Sequence, residues 1–191
     1  MTLKEKIGQL FIHTVGLMNT DVNRKNIRDA VKEYKVGGLL FSNGKLVNQV
    51  TLTNYAQEMA EIPLMITFDG EWGLNMRLKE IPAFPRNRVL GSIVDNALLY
   101  EYGKEVARQF REIGVHVNFA PVADVDNNPL NPVINTRSFG GSPDNVAQKV
   151  IAYSRGLEEG GVLSVSKHFP GHGDTNVDSH KALPVLNFSR E

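Results

Sequence analysis

The sequence predicts an α/β fold: a parallel sheet with helices packed outside it. Three observations carry that expectation. Five short, near-continuous apolar runs alternate with amphipathic helical patterns along the whole chain, which is how strands buried on both faces read. The stretches leading from helix to strand are short. Those following the third, fourth and fifth strands are polar and, in two cases, long, so the chemistry collects on one rim, at the C-terminal ends of the strands.

Taken in order, residues 3–8 form a short helix and Gln9-Leu10-Phe11-Ile12-His13 a first strand. Residues 22–35 place Ile27, Ala30, Val31 and Tyr34 on one helix face. Val36-Gly37-Gly38-Leu39-Leu40-Phe41 is the second strand, and residues 47–61 align Leu52, Tyr55, Ala56 and Met59 on a helix. Residues 63–69 make the third strand, ending at the carboxylate of Asp69. A long loop, 70–92, holds the only tryptophan. Asp95 then caps a helix to about residue 113, with Leu98, Leu99, Tyr102, Val106, Phe110 and Ile113 facing inward and Gly114 as its stop.

Val115-His116-Val117-Asn118-Phe119-Ala120 is the fourth strand, followed by a second long loop, 121–141. Ser142-Pro143 opens a helix carrying Val146, Val150, Tyr153 and Leu157. Val162-Leu163-Ser164-Val165-Ser166 is a fifth strand, expected to be buried. No repeat at fixed period and no low-complexity tract interrupts the pattern. By count alone a five-stranded doubly wound sheet fits. A (β/α)8 barrel takes about eight units and about 250 residues, so on that reading a chain of this length is cut short.

Composition narrows the class. The length, 191 residues, suits one domain with a sizeable core. Lys plus Arg and Asp plus Glu are 21 each, so no basic excess points to nucleic acid or an anionic membrane. There is no cysteine, which excludes disulfides and thiolate metal sites. No apolar run approaches the roughly 18 residues of a membrane span, and the first residues lack the apolar core of a secretory signal. The compartment stays open between bacterial cytoplasm and, where a leader has been removed, periplasm or exterior.

The chemistry concentrates in residues 167–180, which hold Lys167, His168, His172, Asp174, Asp178 and His180. Asp178 and His180 are two apart, so in an extended segment both point to one side. A carboxylate beside an imidazole fixes its tautomer and makes a general acid/base pair; the plain alternative is two solvated loop residues. Lys167 ends the fifth strand, where it needs a partner or a ligand unless it is simply exposed. Pro170-Gly171-His172-Gly173 has the composition of a flexible turn, and equally of a purely structural one. The spacing of the histidines and aspartates matches none of the usual zinc patterns, so no metal or cofactor is expected.

Two other loops join this rim. After the third strand, Asp69 is placed to bind hydroxyls bidentately and Arg77 to assist it; Glu71 is expected to be a solvated loop acid, and Trp72 either stacks on a sugar or covers the core. After the fourth strand, Asp124, Asp126, Asn127, Asn128, Asn131, Asn135 and Arg137 suggest a rigid polar wall, with Arg137 its most distinctive member.

On these residues the chain resembles glycoside hydrolase family 3, most closely its bacterial β-N-acetylglucosaminidase branch. The resemblance rests on residues 3–11, on Asp69-Gly70-Glu71-Trp72-Gly73, on residues 118–125 running on to Arg137-Ser138-Phe139-Gly140, and on Lys167-His168-Phe169-Pro170-Gly171-His172-Gly173-Asp174-Thr175 with Asp178-Ser179-His180 after it. The branch often has Gln-Glu-Gly-Gly after the first aspartate, and here Gly70 and Trp72 depart from it.

The resemblance implies a TIM-type (β/α)8 barrel, of which residues 1–191 are a single partial domain holding about the first five βα units. It implies retaining hydrolysis of terminal β-linked N-acetylglucosamine, including peptidoglycan-derived sugars, with His180 and Asp178 as acid/base. Asp69, Arg77, Arg137, Lys167 and His168 would bind the sugar. The nucleophilic aspartate would follow a seventh strand, beyond residue 191, leaving the chain by itself inactive and prone to self-association through open sheet edges. A β-glucosidase-like specificity and a non-catalytic sugar-binding role are the alternatives.

Overall fold

A computed structural model describes residues 1–186. In chain order its elements are α1 (Leu3–Gly8), β1 (Ile12–Leu17), α2 (Asp21–Arg28), β2 (Gly38–Gly44), α3 (Leu46–Met59), β3 (Met65–Phe68), α4 (Asn87–Leu90), α5 (Asn96–Glu112), β4 (Val117–Asn118), α6 (Pro143–Glu159) and β5 (Leu163–Ser164). The strands form one sheet in the order β1-β2-β3-β4-β5, every neighbouring pair parallel. A doubly wound sheet reverses its order at a switch point. Here each strand is added on the same side as the last, which is the order of a barrel wall. The sheet is not closed, and β1 and β5 are its edges.

Local chemistry sets the boundaries. A capping box starts α1: Thr2 accepts from the Glu5 N–H, and Glu5 Oε2 accepts from the Thr2 N–H at 2.6 Å. Gln9 still donates to the Glu5 carbonyl, so the first strand begins at Ile12 and not at Gln9. Asp95 and Ser142 cap α5 and α6 as the sequence predicts, and Gly114 takes the positive φ, 75°, that turns the chain out of α5.

Two inward-facing assignments fail for a stated reason. The chain widens into a π turn at Asp29–Glu33, with the Tyr34 N–H bonded to the Asp29 carbonyl; the turn shifts the helical phase and leaves Tyr34 exposed. On α5 the buried stripe is Leu99, Gly103, Val106, Ala107 and Phe110. Leu98 lies one residue off that stripe and faces solvent.

Leu39, Phe41, Ile66 and Phe68 of the sheet, with Leu52 and Ala56 of α3, lie in one continuous buried cluster. Helices α5 and α6 cross so closely that a Cβ on Gly156 would collide with the Tyr100 carbonyl oxygen. Beside that crossing, the Tyr102 and Tyr153 rings pack at 4.8 Å. The fifth strand departs from expectation. Val162 is buried, but Leu163 is 57% and Val165 40% exposed, because β5 has a neighbour on one side only. Phe11 and Ile12, leading into the opposite edge, are exposed as well. Among the described residues no helix is long and apolar enough to cross a membrane.

Candidate functional site

Parallel strands put all their C-terminal ends on one rim, and Asp69 and Lys167 each follow such an end. Asp69 accepts from Lys167 Nζ through Oδ1 at 2.6 Å and from Arg77 Nη2 through Oδ2. Arg77 also donates Nε to the Asp69 carbonyl at 3.2 Å and Nη1 to Asn43 at 3.2 Å. Burial alone would raise the Asp69 carboxyl. Lys167 and Arg77 outweigh that and hold it below the usual carboxylate range.

Asn118, fully buried on β4, fixes the backbone from which this loop departs. Its Oδ1 accepts from the Gly70 N–H at 3.0 Å and its Nδ2 donates to the Gly70 carbonyl at 3.1 Å. Gly70 is flanked by Asp69 and Glu71, so one asparagine orients two acids. Glu71 is fully buried, contrary to the solvated acid expected. Arg137 grips it side-on, Nη2 to Oε1 at 2.7 Å and Nε to Oε2 at 3.0 Å, and Lys167 Nζ lies 2.9 Å from Oε1. Lys167 therefore bridges the two acids. A buried charge is tolerable only with such partners.

Arg137 sits at the end of a short 3-10 turn, Asn135–Arg137, and its carbonyl is held by Asn87 Nδ2 at 2.7 Å. Its Nη2 reaches His168 Nε2 at 3.2 Å. The other ring nitrogen, His168 Nδ1, is 2.6 Å from Asp124 Oδ2. Asp124 takes two further bonds, from the His168 N–H at 3.1 Å and the His172 N–H at 2.6 Å. Burial pushes its carboxyl up, and the His168 and His172 donors more than reverse that. A cleft of about 470 Å³ opens beside Asp124, Lys167 and His168.

The turn 170–173 is anchored, as the structural of the two readings of its composition has it. Asn131 Nδ2 donates to the His172 and Gly173 carbonyls, Asn128 to the Asp174 carbonyl, and Asn127 to the Asp174 carboxylate. A Cβ on Gly173 would collide with the Val125 carbonyl oxygen, so only glycine fits there. The polar wall expected from residues 124–137 is thus a clamp on the neighbouring loop.

Five residues singled out from the sequence, Asp69, Arg77, Arg137, Lys167 and His168, meet in one charge network. Asp178 and His180 form their own pair, Oδ1 to Nδ1 at 2.8 Å, with the His180 N–H on the same oxygen at 2.9 Å. Those backbone and ring bonds from His180 hold the Asp178 carboxyl below its usual range. Among the described residues neither makes a hydrogen bond or ion pair to the other five, and His180 Nε2 has no partner. Sequence reasoning missed Glu71 and the anchoring role of Asp124. The partner that buries Glu71, Arg137, lies 66 positions away, so no local signal marked it.

Among the described residues no group of three or more His, Asp or Glu side chains is placed to hold a metal ion. Trp72, half-buried, carries the Arg86 guanidinium 4.6 Å above its ring.

An α/β wall with sequential parallel strands and a charged rim at their C-terminal ends is the arrangement of a (β/α)8-type barrel wall. Residues 2–191 match the N-terminal domain of glycosyl hydrolase family 3, and the chain belongs to that family. It is 34% identical to β-hexosaminidase A of Pseudoalteromonas piscicida, over 86% of this chain and 30% of that protein. It is 34% identical to the β-hexosaminidase LpqI of Mycobacterium bovis, over 93% of this chain and 45% of that one. The structure of a family 3 β-N-acetylglucosaminidase from Paenibacillus sp. FPU-7 superposes with a TM-score of 0.90 at 37% identity, over 100% of this chain and 37% of that chain. The chain thus spans less than half the length of each of these relatives.

Proposed function

We propose that this chain supplies the sugar-binding and acid/base parts of a glycosidase that releases terminal β-linked N-acetylglucosamine with retention of configuration. Peptidoglycan-derived sugars are the proposed natural source. The observation that carries the reading is the Asp69 carboxylate, kept ionised between Lys167 and Arg77 on the rim. Such a carboxylate accepts from two adjacent sugar hydroxyls, while the flanking cations donate to their oxygens. The names of the relatives, hexosaminidase and N-acetylglucosaminidase, support the N-acetylated sugar over glucose.

In the first step the glycosidic C–O bond breaks, a carboxylate bonds to the anomeric carbon, and the departing oxygen takes a proton from His180 Nε2. Asp178 on Nδ1 leaves Nε2 as the nitrogen that faces substrate. In the second step His180 takes a proton from water, whose oxygen displaces the carboxylate. Asp69, Glu71 and Asp124 each pair with cations or N–H donors. By the family resemblance the attacking carboxylate is proposed to follow a seventh strand beyond residue 191, and the chain by itself is proposed to be inactive.

The test is hydrolysis of a nitrophenyl N-acetyl-β-glucosaminide and of the matching glucoside, by this chain and by a protein extended to its relatives' length. The longer protein alone should cleave, should favour the N-acetylated substrate, and should release the β-anomer first by NMR. Turnover by the 191-residue chain overturns its inactivity. Sugar binding without cleavage by the longer protein reduces the site to a binding role, and preference for the glucoside reassigns the substrate.

A further inference from the structure

His172 has no place in the sugar-binding network, yet it is nearly buried and every polar atom it carries is used. Its N–H is held by Asp124 Oδ1 at 2.6 Å, and its carbonyl accepts from Asn131 Nδ2 at 2.6 Å. Its ring Nδ1 lies 2.7 Å from Thr175 Oγ1, and its Nε2 lies 3.0 Å from Ser179 Oγ. The Thr175 hydroxyl also donates to the His172 carbonyl at 3.1 Å. A hydroxyl has one hydrogen, so Thr175 accepts from Nδ1–H, and Nε2 is left to accept from the Ser179 hydroxyl.

Ser179 stands between Asp178 and His180. We infer that His172 is a positioning residue for the Asp178–His180 pair, acting through the Ser179 hydroxyl. Asp124 connects the two halves of the site: one carboxylate oxygen orients His168 in the sugar network, and the other fixes the backbone of His172. Among the described residues the hydrogen bonding runs outward from His172 by a single side-chain bond, to Ser179. Asn176 and His180 are exposed, and the main-chain bonds of 178–182 stay within that turn. The latch therefore sets where the carrier of the acid/base pair sits relative to the fixed rim, while the Asp178–His180 bond itself is local and survives its loss.

The inference rests on the glycosidase reading for its effect on rate, but not for its effect on the loop. Ser179 is exposed, so Ser179→Ala removes the hydroxyl without opening the core. Hydrogen exchange over residues 176–182 should rise about fivefold in that variant, the shift expected when one ordinary hydrogen bond is lost, with residues 163–172 unchanged. Ser179→Thr, which keeps the hydroxyl, should restore the slow exchange.

In the full-length protein, kcat for an N-acetylglucosaminide with a poor leaving group should fall about tenfold in Ser179→Ala. With a dinitrophenyl leaving group it should fall less than about twofold, because that group departs with little protonation. Unchanged exchange in Ser179→Ala overturns the latch whether or not the protein cleaves sugar. Equal losses on both substrates, or none, overturn its role in placing the acid/base pair. A wild-type protein that cleaves neither substrate refutes the glycosidase reading and leaves the exchange result to decide the latch.

Discussion

Arg137 meets Glu71 with two nitrogens on two oxygens, at 2.7 and 3.0 Å, and the acid is completely shielded from solvent. The ion pair joins the loop after β3 to the loop after β4. It holds Arg137 where its remaining edge reaches His168. Removing one member of such a pair strands the other, and the penalty in buried sites is about 3 kcal/mol or more.

Glu71→Gln should therefore lower the urea midpoint and weaken sugar binding together, because Arg137 and Lys167 both lose their shared counter-charge. Arg137→Lys should recover little of either, since an ammonium cannot reproduce the two-nitrogen grip. Denaturation midpoints and the KM of the full-length protein check both outcomes.

Asp124 makes acid stability a readout of the loop anchor. Its folded carboxyl lies below the unfolded value, so its contribution is present above the unfolded value near pH 4 and is lost as pH falls toward the folded one. Asp69 acts in the same direction. Asp124→Asn should lower stability at pH 7 and flatten the loss between about pH 5 and pH 3. Urea midpoints measured across that range give the sign directly.

If His180 is the proton donor, His180→Ala should slow substrates with poor leaving groups by about a hundredfold or more and spare activated ones in the first step. Asp178→Asn acts through the same ring, so the double variant should be little worse than His180→Ala alone. Burst kinetics with aryl substrates of graded acidity would show the difference.

The crossing of α5 and α6 leaves no room at Gly156. Gly156→Ala should destabilise by about 1–3 kcal/mol through overpacking, despite the better helix propensity of alanine. Thermal unfolding checks it, and Ala152→Gly on the same helix serves as a control for propensity.

Exposed Leu163 and Val165 on one edge and Phe11 and Ile12 near the other should make the 191-residue chain associate with rising concentration. Val165→Lys should reduce that association. Sedimentation at several loadings tests it.

The fold was legible because its strands are apolar runs between capped helices; Asp95 and Ser142 announce α5 and α6 by chemistry alone. The strand order was not: Val36–Phe41 reads the same in a doubly wound sheet and in a barrel wall. The five residues of the charge network were legible as polar groups after strands. Glu71 was not, because nothing local to Gly70-Glu71-Trp72 records that Arg137 arrives 66 positions later to neutralise it. Tyr34 and Leu98 were misplaced because a helical phase shifts within a residue or two.

The same separation in sequence has a consequence for how the chain is made. Asp69 and Lys167 are 98 residues apart, and Glu71 shares that lysine. A ribosome adding roughly 5–20 residues per second exposes the acids on the order of 5–20 s before their common cation exists. During that interval Arg77 is the nearby counter-charge for Asp69, and Glu71 has none until Arg137 follows 66 residues later. The charge network of the rim is thus complete only once the fifth strand has docked and brought Lys167 to the two acids.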